Sequence, residues 1–131
     1  MCATTAARVL EYVNSQEQVL TDLLKNLVEA ESPSAQPETH DGVRRILRLA
    51  LAGAGYESRE THGTDVPRHV FARPAKRKRG QPSQLVVGHF DTVWPIGTLE
   101  ERPFRIDGNV VHGPGSFDMK GGLAQMVLAL Q

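Results

Sequence analysis

His89 and Asp91 stand two positions apart in "GHFDTVWPIG", residues 88–97, directly after the apolar run Leu85-Val86-Val87. A strand that ends by presenting an imidazole and a carboxylate has the makings of a metal site. Neutral imidazole is a good zinc ligand through one ring nitrogen. A carboxylate that accepts the proton of the other nitrogen fixes the tautomer and raises the basicity of the ring. The second informative stretch is "GPGSFDMKGG", residues 113–122, in which Gly113, Gly115, Gly121 and Gly122 surround one acid, Asp118. Glycines allow backbone conformations and close approaches that side chains forbid. Asp118 is therefore expected on a tight turn just before a helix. Its two oxygens could bridge two metal ions about 3.5–4 Å apart.

Two protein groups do not close a site. Structural zinc takes four protein ligands, and catalytic zinc usually takes three plus water. His40, His62, His69 and His112 show no i, i+4 or C-x-x-C-type spacing that would complete the set. A lone histidine at a strand end is more often hydrogen-bonded scaffolding than a ligand, and glycine-rich turns are common without any metal. The joint pattern changes the weighing: H-x-D-T-V at a strand end, then G-P-G-x-x-D-x-K-G-G before a helix.

Elements that position these residues are legible from periodicity. Leu20, Leu23, Leu24, Leu27 and Val28 follow the spacing of a helix face. Ser15 with Gln18 forms a candidate capping box, while Val9, Leu10 and Val13 suggest an earlier start. Ser32-Pro33 stops that helix, because the residue before proline avoids the helical region. Residues 35–38 read as a short polar loop. Val43, Ile46, Leu47 and Ala50 mark a second helix, ended by Gly53 and Gly55. Strands are predicted over 56–61 and 69–72, with a turn over 74–83. Residues 84–88 read as a buried strand, short, β-branched and continuous. Asp107-Gly108 predicts a hairpin joining 104–107 to 109–112. Leu123, Met126, Val127 and Leu130 give a third helical face beginning near Lys120. In open α/β sheets, sites form beyond the carboxyl ends of strands, where His89 and Asp118 would converge.

Bulk properties narrow the function classes. The 131 residues fit one domain, and acids and bases balance at 15 each, so no global field favours nucleic acid or an anionic membrane. No apolar run approaches the length of a membrane helix, and the N-terminus does not read as a secretory signal. The single cysteine, Cys2, forms no internal disulfide and, near a terminus, is a poor catalytic candidate. A cytoplasmic location follows as the default. Helices followed by strands and a returning helix argue for an α/β layer. The last helix carries neither a glycine cap nor a basic final turn, so the pattern breaks off in mid-helix.

The joint pattern resembles the dizinc amidohydrolase and exopeptidase family that includes acetylornithine deacetylase, succinyl-diaminopimelate desuccinylase and glutamate carboxypeptidase. The glutamate carboxypeptidase branch is nearest, from "HFDTVWPIGTLEERPFRIDGNVVHGPGSFDMKGG", and the specific part of the likeness covers residues 84–130. The resemblance implies a partial zinc-exopeptidase-like α/β/α sandwich with a mixed sheet. It implies that residues 1–131 are the N-terminal part of a metallopeptidase catalytic domain, truncated after the helix that follows the second motif and without the family's dimerisation domain. By the same resemblance His89 binds one zinc, Asp91 orients His89 and serves catalysis, Asp118 bridges both zincs, and the Asp118–Met119 peptide is cis. Two Zn2+ ions per complete site are implied, with Co2+ or Mn2+ as substitutes. The substrates implied are small N-acyl amino acids or peptides ending in an acidic residue, and complete members are homodimers. The general base and remaining ligands would lie beyond Gln131, so negligible hydrolysis is expected from these residues alone.

Weaker candidates surround the pair. Trp94 either borders a cleft or packs on its loop, Lys120 is expected to be solvated at a helix start, and His112 to be structural. Arg73, Lys76, Arg77, Lys78 and Arg79 could form a nucleic-acid patch or nuclear address. No aromatics interleave with them for base stacking, so no nucleic-acid partner is expected and a solvated turn is the plainer reading. A non-catalytic remnant is the other alternative.

Overall fold

A computed structural model describes residues 4–63, 68–77 and 80–131. The chain is α/β. Three helices build its core: α2 (Glu17–Glu29), α3 (Asp41–Gly53) and α5 (Gly121–Ala129). Their apolar stripes meet as the periodicity predicts. Leu24, Leu27 and Val28 of α2 are buried against Val43 and Leu47 of α3 and Leu123 and Ala124 of α5. Burying a Leu or Val side chain contributes about 1.5–3 kcal/mol each, so this cluster is the main apolar anchor of the fold.

The N-terminal helical region is two helices rather than one. α1 (Thr5–Ser15) is capped by Thr4, whose hydroxyl accepts from the Ala7 backbone N–H at 3.3 Å. The chain breaks at Gln16 and restarts as α2. The predicted Ser15–Gln18 capping box does not form. Ser15 Oγ donates backwards to the Tyr12 carbonyl at 2.7 Å, and Gln18 Nε2 donates forward to Asp22 Oδ1 at 2.9 Å. α1 has no buried residue.

After α2, residues 37–40 form a turn of 3-10 helix that leads into α3. β1 (Tyr56–Thr61) and β2 (His69–Pro74) pair antiparallel, with Tyr56 opposite Pro74 and Thr61 opposite His69. β1 lies against α3. A short helix, α4 (Thr98–Glu101), precedes the predicted hairpin, seen as β3 (Arg105–Asp107) and β4 (Val110–His112) in antiparallel register. Gly108 turns it with φ 58°.

The buried strand predicted over 84–88 is the main correction. Those residues carry no strand pairing, and Leu85 and Val87 are 84% and 78% exposed. A short apolar run is stable as a strand only when neighbours satisfy its backbone groups. Among the described residues the sheets are two separate antiparallel pairs. One isolated parallel bridge, Pro33 to Thr92, stands apart from them and runs directly into the candidate site.

Candidate metal centre

Two loops meet at one corner. The first leaves Gly88, which packs so closely on α5 that an added Cβ would lie 2.9 Å from Leu123 Cδ2. The second is the glycine turn 113–117, which delivers Asp118 to the head of α5. Gly115 has φ 71°, and a side chain there would collide with the methyl of Thr92. Only glycine lets the turn lie flat on the first loop. The Asp118–Met119 peptide is cis, and the His89 backbone N–H points at Met119 Sδ, 3.2 Å away.

His89 Nε2 lies 3.1 Å from Asp118 Oδ1. Its Nδ1 faces Asp91 twice, the backbone carbonyl at 3.0 Å and Oδ1 at 3.3 Å. Both groups on the Nδ1 side are acceptors only, and so is the Asp118 carboxylate at Nε2, so the doubly protonated ring satisfies both sides. In a neutral ring with its proton on Nδ1, Nε2 turns a lone pair toward the Asp118 carboxylate. Two electron-rich atoms at that distance need a proton or a cation between them. Partial burial lowers the His89 pKa, but the Asp91 carbonyl and the Asp118 carboxylate outweigh it and hold it above 6.5. For Asp91 burial acts upward, and the hydroxyl of Ser34 and the charge of His89 prevail, holding the carboxyl below 3.8.

This donor set fits a divalent cation held by His89 Nε2 and Asp118, with Asp91 behind the ring. It supplies two donors. Among the described residues, no group of three or more His, Cys, Asp or Glu side chains is arranged to hold a metal ion. An open cavity of about 300 Å³ lies over the corner, lined by His89, Asp91, Trp94, Phe117 and Asp118 among others. Trp94 is half-buried on the cavity wall, with the Arg102 guanidinium 5.0 Å from its ring centre, so it both borders the cleft and packs on its loop.

Lys120 reverses its expectation. It is 1% exposed, and Nζ donates to the Ala30 carbonyl at 2.9 Å. Burial pushes its pKa down to about 8, against the attraction of Glu31. His112 sits in β4 opposite Arg105. Arg73, Lys76 and Arg77 are exposed, and Lys78 and Arg79 lie outside the described residues, as does Cys2.

The segment after α2 holds residues that sequence reasoning passed over as a helix stop. Glu31 accepts from the backbone N–H groups of Gly97 and Leu99 at 2.9 and 3.2 Å. Ser32 is buried and donates to the Phe90 carbonyl at 2.7 Å. Ser34 Oγ donates to Asp91 Oδ2 at 2.6 Å. Buried His40 sets its ring edge-on to Phe90 and bonds the Pro33 carbonyl through Nε2 at 2.8 Å. The only signal was the run of acid and hydroxyls in "ESPS" just past a helix end, where Ser32-Pro33 by itself explains the stop.

Comparison with known proteins identifies the family that the two loops fall in. Residues 85–131 match the family model described as Peptidase family M20/M25/M40. Carboxypeptidase G2 of Pseudomonas sp. (strain RS-16) is 26% identical over 125 residues, 94% of this chain and 30% of that protein. Succinyl-diaminopimelate desuccinylase of Acinetobacter baylyi is 35% identical over 113 residues, 82% of this chain and 28% of its own length. The desuccinylase of Shewanella pealeana is 33% identical over 122 residues, 88% of this chain and 30% of that protein. The chain thus spans about 30% of the length of these relatives.

Proposed function

Because the chain belongs to peptidase family M20/M25/M40, we propose that its His89–Asp118 corner is one part of the metal centre of an amide- or peptide-bond hydrolase. The observation that carries this reading is the 3.1 Å approach of His89 Nε2 to Asp118 Oδ1, with Nδ1 committed to Asp91. His89 offers a lone pair and Asp118 a carboxylate able to serve two ions. Asp91 keeps the ring proton at Nδ1. When bound, divalent zinc would polarise the scissile carbonyl and acidify a water; cobalt or manganese could substitute. The cavity above the pair would admit the acyl or peptide group.

These residues act as part of a catalytic domain. The two ligands among the described residues are short of the three a catalytic zinc usually takes, and negligible turnover is the expectation for the 131 residues alone. The names of the relatives, a carboxypeptidase and succinyl-diaminopimelate desuccinylases, support peptides or N-acyl amino acids as substrates, and the resemblance of the motifs adds a preference for an acidic C-terminal residue. A homodimer is the expected assembly of the complete enzyme. No nucleic-acid partner is assigned to the exposed bases after β2. Among the described residues no helix is long and apolar enough to cross a membrane. A cytoplasmic location is proposed from the sequence alone, with its single cysteine.

The test is direct. Zinc titration of the chain should show uptake that His89→Ala weakens by more than about tenfold. A polypeptide that joins these residues to the remainder of a relative should hydrolyse N-succinyl or N-acyl amino acids, and the same polypeptide carrying Asp118→Asn should not. Zinc uptake indifferent to His89, or hydrolysis indifferent to Asp118, would remove the reading.

A further inference from the structure

We infer that Ser34 is a positioning residue for the His89–Asp118 pair, acting through Asp91; the inference rests on the metal-centre reading above.

Asp91 has two oxygens with different tasks. Oδ1 stands 3.3 Å from His89 Nδ1 as a counter-charge beside the Asp91 backbone carbonyl, which takes the Nδ1 hydrogen bond at 3.0 Å, and Oδ2 accepts from Ser34 Oγ at 2.6 Å. A carboxylate held on one oxygen only is free to rotate about its Cβ–Cγ bond. With Oδ2 tied down, Oδ1 stays toward the imidazole. The connected series is Ser34, Asp91, His89 and Asp118, drawn from sequence positions as far as 84 residues apart.

Ser34 faces the cavity and is exposed, where a lone surface hydroxyl would contribute little. Its backbone explains why this one is different. Ser34 N–H donates to the Thr92 carbonyl at 2.9 Å, and Thr92 N–H donates to the Ser32 carbonyl at 2.8 Å. Those bonds make the parallel bridge of Pro33 with Thr92. Pro33 is buried, and its carbonyl is held by the buried ring of His40. Ser32 Oγ secures the Phe90 carbonyl from the other side. The residues that flank Asp91 are thus clamped to the residues that flank Ser34, and the hydroxyl sits between two acceptors, Asp91 Oδ2 at 2.6 Å and the Thr92 carbonyl at 3.2 Å, with the shorter contact to the carboxylate. Water could occupy the same place, but nothing would hold it in one orientation. A fixed partner behind a ligating histidine is worth about 10–100-fold in metal affinity, and Ser34 stands one bond further out.

The experiment compares wild type, Ser34→Ala and Ser34→Thr as 131-residue chains. Long-range 15N–1H spectra of the neutral His89 ring, without metal, read the ratio of the two tautomers. Zinc titration of the same samples reads affinity, and thermal melting confirms that each is folded. Ser34→Ala should lower the Nδ1–H to Nε2–H ratio several-fold and weaken zinc binding by up to about tenfold. Ser34→Thr, which keeps the hydroxyl, should restore both. An unchanged tautomer ratio in a folded Ser34→Ala chain overturns the inference, as does a Ser34→Thr chain that behaves like Ser34→Ala. If no variant takes up zinc, the proposed function falls and the tautomer ratio still decides the role of Ser34.

Discussion

His89 and Asp118, 29 positions apart in sequence, meet at 3.1 Å although neither belongs to a paired strand. Their meeting is built by glycine contacts and by the head of α5, not by a sheet edge. Each should therefore contribute separately to cation binding. His89→Ala and Asp118→Asn are each expected to weaken zinc binding by more than about tenfold, or 1.4 kcal/mol, while leaving the melting temperature of the metal-free chain nearly unchanged, because both side chains are substantially exposed. Calorimetric titration in low-salt buffer measures the first effect and circular dichroism the second.

The approach of the two loops depends on Gly115. Its φ of 71° is one that other residues adopt reluctantly, and a Cβ would collide with buried Thr92. Gly115→Ala is expected to destabilise the chain by about 1–3 kcal/mol and to weaken zinc binding together with it. Gly53→Ala, at a position where an added Cβ meets nothing within 4 Å, is the contrasting change and should not destabilise. Urea unfolding of the two variants makes the comparison.

The pair His89–Asp91 and the acid Asp118 were legible because their chemistry is carried by residue type and local spacing. The stripes of α2, α3 and α5 were legible for the same reason, since a 3.6-residue period needs no knowledge of partners. Residues 84–88 show the opposite case. Their β-branched, apolar composition signals a strand, but a strand also needs a neighbour, and neighbours are set by tertiary contacts that no local window contains. Lys120 was misread for a related reason. A lysine at a helix start is usually wet, and here the carbonyl of Ala30, 90 positions away, receives its ammonium. Ser34 and Glu31 were missed because Ser32-Pro33 already accounts for the helix stop and a polar stretch after it reads as an ordinary solvated loop, while the partners they support lie far along the chain. The break at Gln16 escaped because the apolar residues on its two sides share a helical spacing.

Core packing makes a prediction independent of the site. Leu27 is fully buried between α2, α3 and α5, whereas Leu10 on α1 is 61% exposed. Leu27→Ala removes methyl groups from a closed cluster and should destabilise by about 2–5 kcal/mol. Leu10→Ala should change stability by less than about 0.5 kcal/mol. Equal losses in a denaturant titration would show that α1 is packed as firmly as α2.

Glu60 on β1 gives the pH dependence. Its carboxylate meets Arg48 Nη1 at 3.0 Å, Arg68 Nη1 at 3.2 Å and Arg44 Nε at 3.5 Å. Arg44 is buried on α3, pairs also with Asp41, and its Nε makes no hydrogen bond among the described residues. Desolvation raises the Glu60 pKa, but the Arg68 and Arg48 bonds and the charge of Arg44 outweigh it and hold it below 4.5. A carboxylate with a lowered folded pKa stabilises the fold above its unfolded pKa. That contribution is lost as pH falls through the folded value. Glu60→Gln should accordingly destabilise the chain at neutral pH, where it removes one of the two carboxylates that face the buried Arg44 guanidinium, by about 1 kcal/mol. The gap between wild type and variant should stay constant down to about pH 5, near the ordinary glutamate pKa, and close below it as wild-type Glu60 takes up its proton. Urea midpoints collected from pH 7 to pH 3 measure that gap. A gap that persists unchanged into acid would mean that the carboxylate acts through packing rather than charge.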